Sequence, residues 1–293
     1  DGVLDHSYAS GSPDAGFYIG QCYPCDAIIN DVISEKNGLG YSGTNSGGSL
    51  YIISSVFRNN KGGLAPNTLD SELLPPERET FIIGNLIENN NNLDAPATQS
   101  TNLSLGNGVV IAGGNNNVIK NNVIANHNLY GVIITATADV NYWPAHGNRV
   151  ESNLIINSKR ADIASSGLSN LGNCFENNYF NTSIPPGLQT LNNCDSSFYP
   201  LSADLSGMWS SLARVIQTSD GNYNQGDWRT FEAPANQPNM PIMDELMSLG
   251  YDKTSLPVTK IWSSVKPAVE VFSQFEDVLE VIELPEEARN YLN

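Results

Sequence analysis

The sequence is built on a short phrase that keeps returning: a polar residue, two or three apolar residues, a polar gap and, often, asparagine. It reads Asn85-Leu86-Ile87-Glu88-Asn89, Asn122-Val123-Ile124-Ala125-Asn126 and Asn153-Leu154-Ile155-Ile156-Asn157. Weaker copies stand at Ser55-Val56-Phe57-Arg58-Asn59, Asp31-Val32-Ile33 and Asn178-Tyr179-Phe180. A second short apolar run follows most copies, as in Gly38-Leu39-Gly40-Tyr41, Gly63-Leu64-Ala65, Gly131-Val132-Ile133-Ile134 and Asp162-Ile163-Ala164. A two-beat apolar unit recurring along a chain is the signature of a solenoid, in which each repeat buries its core only against its neighbours.

The spacing selects the kind of solenoid. From Asp31 the phrase recurs at 55, 85, 122, 153 and 178, at intervals of 24, 30, 37, 31 and 25 residues. The shortest intervals match one coil of a parallel β-helix made of three short strands. A helical repeat needs an amphipathic run of about ten residues or more, and none occurs before residue 200. The runs are short and rich in β-branched residues, and Gly and Asn punctuate them. Asn tolerates left-handed backbone and hydrogen-bonds its neighbours. When Asn falls at the same corner of successive coils, the amides can stack as a ladder. An earlier coil fits the register: Ser7-Tyr8-Ala9 lies 24 residues before Asp31 and is followed by Gly16-Phe17-Tyr18-Ile19-Gly20. The fold class expected is therefore all-β, a right-handed parallel β-helix of about seven coils over residues 1–195. The chain opens in mid-solenoid, so further coils or a cap are expected to precede Asp1, because an open solenoid end exposes strand edges and core.

After Cys194 the texture changes. Residues 196–293 lack the Asn phrase and carry Trp209, Trp228 and Trp262. Segments 205–217 and 241–249 read as short helices. Segment 265–282 fits either a helix or a strand pair, and 233–241 reads as an extended linker. The region is expected to form an irregular, partly helical C-terminal cap over the last coil, or a tail that docks a partner.

Charge narrows the partners. The net charge is -17 with a pI near 4.3, which repels nucleic acid and anionic membranes. An acidic polysaccharide would need a bridging cation. No apolar run approaches the roughly 18 residues of a membrane span. Four Cys fall in two close pairs, Cys22/Cys25 and Cys174/Cys194. In an Asn-rich, Lys-poor chain they favour two disulfides and a secreted, periplasmic or cell-surface protein. Metal binding and redox chemistry are the other readings of the Cys22-Tyr-Pro-Cys25 element. The pairs lie about six coils apart, too far for one tetrahedral ion.

Segments in excess of a minimal coil mark insertions. Residues 67–79 and 135–147 occupy the same phase of the repeat, two coils apart, and 91–107 a different phase. Loops longer than about 12 residues in a compact protein are usually functional or disordered, and in solenoids insertions gather on the binding face. The 135–147 loop carries Tyr142, Trp143 and His146, and the 67–79 loop carries Asp70, Glu72 and Arg78. Tyr142 and Trp143 are candidates for a carbohydrate or partner platform, with Arg78 and His146 as its hydrogen-bonding groups. Trp143 and Pro144 packing the loop onto the coil is the plainer alternative. Asp70 and Glu72 could hold a cation such as Ca²⁺, and no other cofactor is expected.

The phrases Asp14-Ala-Gly-Phe-Tyr-Ile-Gly-Gln-Cys22, Pro24-Cys25-Asp26-Ala27 and Gly106-Asn-Gly-Val-Val-Ile111 resemble bacterial right-handed parallel β-helix repeat proteins. These are relatives of copper-site-maturation periplasmic proteins and pectate-lyase-like solenoids. The resemblance covers residues 1–195 and implies the fold; fold alone does not carry chemistry. The carboxylate cluster and Arg segment of pectate lyases, and the Asp pairs and Arg-x-Lys of polygalacturonases, do not appear in this sequence. His6, His127 and His146 have no nucleophile motif beside them. The sequence thus points to an exported, non-catalytic solenoid with a surface binding or structural role in a cell-envelope or extracellular assembly. A polysaccharide lyase or glycoside hydrolase acting on an extracellular glycan is the alternative. Metal handling, suggested by the relatives and the CxxC, is a third.

Overall fold

The computed structural model describes residues 2–167 and 171–195. Three parallel sheets of seven, six and seven strands run through the described residues, and the chain visits them in rotation. Coil 1 is Gly2–Asp5, Tyr8–Ser10 and Ala15–Tyr18; coil 2 is Ala27–Asn30, Ile33–Glu35 and Leu39–Thr44. Coil 3 is Gly47–Ile53, Val56–Arg58 and Gly62–Asn67; coil 4 is Arg78–Ile83, Leu86–Glu88 and Val109–Ala112. Coil 5 is Val118–Lys120, Val123–Ala125 and Tyr130–Thr135; coil 6 is Arg149–Glu151, Leu154–Ile156 and Ala161–Ser166. Coil 7 keeps Cys174–Glu176 and Ser183–Ile184, with a single bridge from Tyr179 to Leu154 between them. Strands this short, stacked parallel and in register, make a parallel β-helix of seven coils. The expected C-terminal cap, with its segments 205–217, 241–249 and 265–282, lies outside the described residues.

Parallel register places like side chains over like. In the first sheet Ile29, Ile52, Ile82, Ile119, Val150 and Phe175 form one interior column. In the second, Phe57, Ile87, Ile124 and Ile155 form another. In the third it is Phe17, Tyr41, Leu64, Val109, Val132 and Ile163. Three such columns meeting at the axis are the core, and their burial is the main favourable term in folding.

The corners are held by amide ladders. Between the first and second sheets, Asn85 gives both its backbone N–H and its Nδ2 to Asn122 Oδ1; Asn122 does the same to Asn153, and Asn153 to Asn178. Each Nδ2 also donates to a carbonyl of the preceding coil, such as Ile82 for Asn122. A second ladder at the next corner runs Asn37, Asn60, Asn90 and then His127. A third, between the third and first sheets, runs Asn117, Asn148 and Asn173. The residue before each ladder position has a left-handed backbone, for example Asn121, Asn59 and Asn116 with φ of 54°, 54° and 56°. Such corners suit Asn, Asp and Gly. Helix Leu188–Leu191 closes the C-terminal end of the described solenoid: Leu188 enters the core, and Gln189 Oε1 accepts from Asn178 N and Nδ2, ending the first ladder.

The ladder also corrects an expectation about facing. The phase of the repeat suggests Val32, Val56, Leu86, Val123 and Leu154 as one interior column. Four of the five stack in register, but the fifth member is Ile33, and Val32 lies one residue away in the core. The ladder residue before each, such as Asn85 or Asn122, turns inward to reach the next coil. Alternation then sends Leu86 and Val123 outward and Ile87 and Ile124 inward. The outward column is still buried, with Leu86 only 2% exposed.

Both pairs of cysteines are bonded, Cys22 to Cys25 and Cys174 to Cys194. The second ties the last first-sheet strand to the segment after the closing helix. No described helix is long and apolar enough to cross a membrane.

Candidate binding surface

The insertions lie where their phase indicated. Residues 68–77 and 136–148 both leave the third sheet and return to the first, while 91–107 lies between the second and third sheets. The 91–107 insertion is fastened to the coils beneath it by Thr98 N and Thr101 Oγ1 donating to Pro13 O, and by Lys61 Nζ donating to Leu93 O.

The two third-to-first loops touch each other directly. Asp70 is the joint: its carboxylate accepts from Asn141 N at 2.7 Å, Asn141 Nδ2 at 2.6 Å and Trp143 Nε1 at 3.2 Å. Its own N–H donates to Asp139 Oδ2. The backbone and side-chain donors of Asn141 hold the Asp70 carboxyl below its usual range, so it stays ionised. A two-stranded antiparallel hairpin, Thr137–Ala138 against Tyr142–Trp143, stiffens the second loop.

The first loop is tied on its other side to the turn after coil 1. Tyr18 donates to Glu72 Oε2 at 2.7 Å, Tyr23 donates to Glu79 Oε2 at 2.9 Å, and Leu73 N donates to Gln21 Oε1. Desolvation, and then the bond to Glu72, push the Tyr18 hydroxyl up to about 12, so it remains a donor. The Arg78 guanidinium stacks 3.7 Å above the Tyr23 ring and donates to Leu74 O and Pro76 O. Gly47 lets the returning strand close in, because a Cβ there would strike the Arg78 carbonyl. At the far end His146 Nδ1 accepts from Leu171 N, and His146 N donates to Asn115 Oδ1.

Three loops are thus laced into one ridge along the third-to-first corner. The structure brings Asp70 and Trp143 together as partners in a loop joint. Arg78 reaches toward the N-terminal coils and His146 toward the C-terminal ones, and they share no partner. Glu72 holds Tyr18. Among the described residues no three His, Cys, Asp or Glu side chains are arranged to hold a metal ion. The ridge presents an apolar cluster among its carboxylates: Tyr18, Tyr23, Leu73, Leu74, Val140 and Tyr142, with Leu171 in the turn that His146 reaches, are seven of the eleven large hydrophobic residues exposed in the described structure. Leu73 and Val140 are the most open, at 71% and 85%.

Of these, only Tyr142 stands out in the sequence as a candidate binding residue. Tyr23 sits inside the Cys22–Cys25 turn, and that tight turn was its one signal. Glu77 is a further surprise. It reads as a loop acid but is fully buried, its oxygens accepting from Thr80 Oγ1 and Asn117 Nδ2, both at 2.8 Å, so it heads the third ladder. Burial drives its pKa up to about 8. Gly114 makes the room, since a Cβ there would overlap Glu77 Oε2.

No protein-family model matches this chain, and no curated protein matches it. Two solved structures align with it, both A-modules of mannuronan C-5 epimerases from Azotobacter vinelandii. The AlgE4 module is 14% identical, with 62% of this chain and 56% of that one covered and a TM-score of 0.37. The AlgE6 module is 17% identical, with 62% and 55% covered and a TM-score of 0.40. The chain spans just over half the length of these structures. The likeness is one of fold, and the sheets themselves carry the assignment: the chain is a parallel β-helix protein.

Proposed function

We propose that this chain is an exported binding solenoid that engages an extracellular or cell-envelope partner through the ridge of third-to-first loops. The observation that supports the reading is the division of labour on that ridge. Its ionisable and hydrogen-bonding groups, Asp70, Glu72, Glu79, Arg78 and His146, are used to lace the loops together. Its aromatic and aliphatic tips are left to solvent. Exposed apolar clusters on a soluble protein mark interaction sites, and a pre-tied surface loses little freedom on binding. The two disulfides favour an oxidising compartment.

The test is to immobilise the protein, probe it with extracellular glycan fractions and with extracellular or envelope protein extracts, and assay the same glycans for cleavage with and without Ca²⁺. Retention without turnover, lost on Tyr142→Ala together with Leu73→Ser, supports the reading. Release of unsaturated or reducing-end products overturns it in favour of a lyase or hydrolase.

A further inference from the structure

We infer that the partner of this ridge is a polypeptide surface with an apolar centre and a cationic rim, rather than a polysaccharide. The inference rests on the ridge being the binding site and adds the chemistry of what it binds.

Two features carry it. The first is the kind of apolar group presented. Sugars dock by laying ring faces on aromatic side chains, whereas Leu73, Leu74 and Val140 are branched aliphatics and are among the most exposed large hydrophobics described. They have no polar edge to meet hydroxyl groups, and burying them repays only contact with another apolar surface. The tyrosines beside them, Tyr18, Tyr23 and Tyr142, add the amphipathic area typical of protein interfaces. Their hydroxyls are not spare for sugar: those of Tyr18 and Tyr23 are already donated to Glu72 and Glu79.

The second is charge. The three loops, residues 18–26, 67–79 and 136–148, hold the solvent-reached carboxylates Asp26, Asp70, Glu72, Glu79 and Asp139 against one guanidinium, Arg78. That guanidinium is spent on Tyr23 and two carbonyls. Asp70 is held ionised by its donors. The carboxylates flank the aliphatic tips in sequence: Glu72 precedes Leu73, and Asp139 precedes Val140. A cationic rim meets this potential with attraction and steering, and an anionic glycan meets repulsion. The net charge of -17 extends the same bias over the whole chain.

The test uses the whole chain and labelled probes read by fluorescence anisotropy. The probes are an amphipathic Lys/Leu peptide, its Glu/Leu counterpart, a Lys/Ser peptide of equal charge, and oligomers of a neutral glucan and of a polyuronate. The Lys/Leu peptide is expected to bind most tightly and to weaken as salt is raised. The variant Leu73→Ser/Leu74→Ser/Val140→Ser leaves the charge unchanged and touches only exposed side chains. It is expected to weaken Lys/Leu binding about tenfold or more, while leaving weak Lys/Ser binding as it was. Equal binding of the Lys/Leu and Lys/Ser peptides, or an unchanged affinity in the triple variant, would reduce the effect to bulk charge and overturn the inference. Tight binding of either glycan, lost in the triple variant, overturns the polypeptide partner but keeps the ridge as the site. No binding of any probe that depends on the triple variant overturns both.

Discussion

The buried acid Glu77 makes the stability of the solenoid depend on pH. Its carboxyl is fully buried and its pKa is raised from 4.5 to about 8, chiefly by desolvation. The folded protein therefore holds a proton at Glu77 that the unfolded chain has already released. Wherever the folded state binds the extra proton, stability falls as pH rises, by about 1.4 kcal/mol per pH unit. For Glu77 that window runs from about pH 4.5 to about pH 8, and the loss between pH 5 and pH 8 is about 4 kcal/mol. Glu88, raised to about 7 by burial, adds a loss of the same sign over a narrower window. The variant Glu77→Gln removes the Glu77 share alone. Its carbonyl can still accept from Asn117 Nδ2, and its amide can donate to Thr80 Oγ1, which turns to accept. Near pH 5 the variant is expected to match the parent within about 1 kcal/mol, the usual size of a single buried hydrogen-bond difference. Near pH 8 it is expected to be the more stable by about 4 kcal/mol. Urea unfolding at matched ionic strength across this range, taken as the difference between the two proteins, reads the effect directly. A difference that does not change with pH would refute the reasoning, because it would mean that Glu77 is ionised inside the solenoid.

Three further outcomes follow from the columns and ladders. His127 is buried in the second ladder and desolvation pulls its pKa down to about 3; the folded state keeps it neutral, so stability should fall as pH drops from about 6.5 toward 3, and His127→Asn should lose that share when acid unfolding curves are compared. Ile124→Ala removes the middle of the second-sheet interior column and should cost about 2–5 kcal/mol in chemical denaturation, whereas a cost well below that range would mean that the column closes over the gap. Gln189→Ala strips the acceptor from Asn178 N and Nδ2 and should cost about 1–3 kcal/mol, with faster amide hydrogen exchange in coil 7 than in coil 3 as the local signature.

The fold was legible because its two signals are periodic. The Asn phrase marked the coils and the two apolar runs marked two of the three strands in each, so the seven coils and the shared phase of the 67–79 and 135–147 loops are legible in the sequence, whereas the first-sheet strands, such as Arg78–Ile83, carry no phrase of their own. Facing was harder. A doublet such as Leu86-Ile87 does not say which member turns inward; the inward turn of Asn85 decides it, and that depends on the amide meeting Asn122 in the next coil. The ridge was half legible for a similar reason. Tyr142 and Trp143 stood out as aromatics in a long loop. That Trp143 would be spent on Asp70, and that Leu73 and Val140 would be the open tips, depends on contacts between loops about 70 residues apart in sequence. Glu77 could not be found in this way, since one acid among four in its loop gives no sign that the chain closes over it.

The ladders make the length of this protein a counted quantity. From coil 5 to coil 6 every column advances by the same step: Asn122 to Asn153, Asn117 to Asn148 and Ile124 to Ile155 are each 31 residues apart. Removing 31 consecutive residues from this stretch would lay each remaining amide and each apolar side chain onto the partner of the one removed. Removing 30 or 32 would put the amides of the first and third ladders out of step with their acceptors at the junction. Gains and losses of sequence within these coils are therefore tolerable only as whole turns, or as additions to loops such as those of the ridge that the columns do not count.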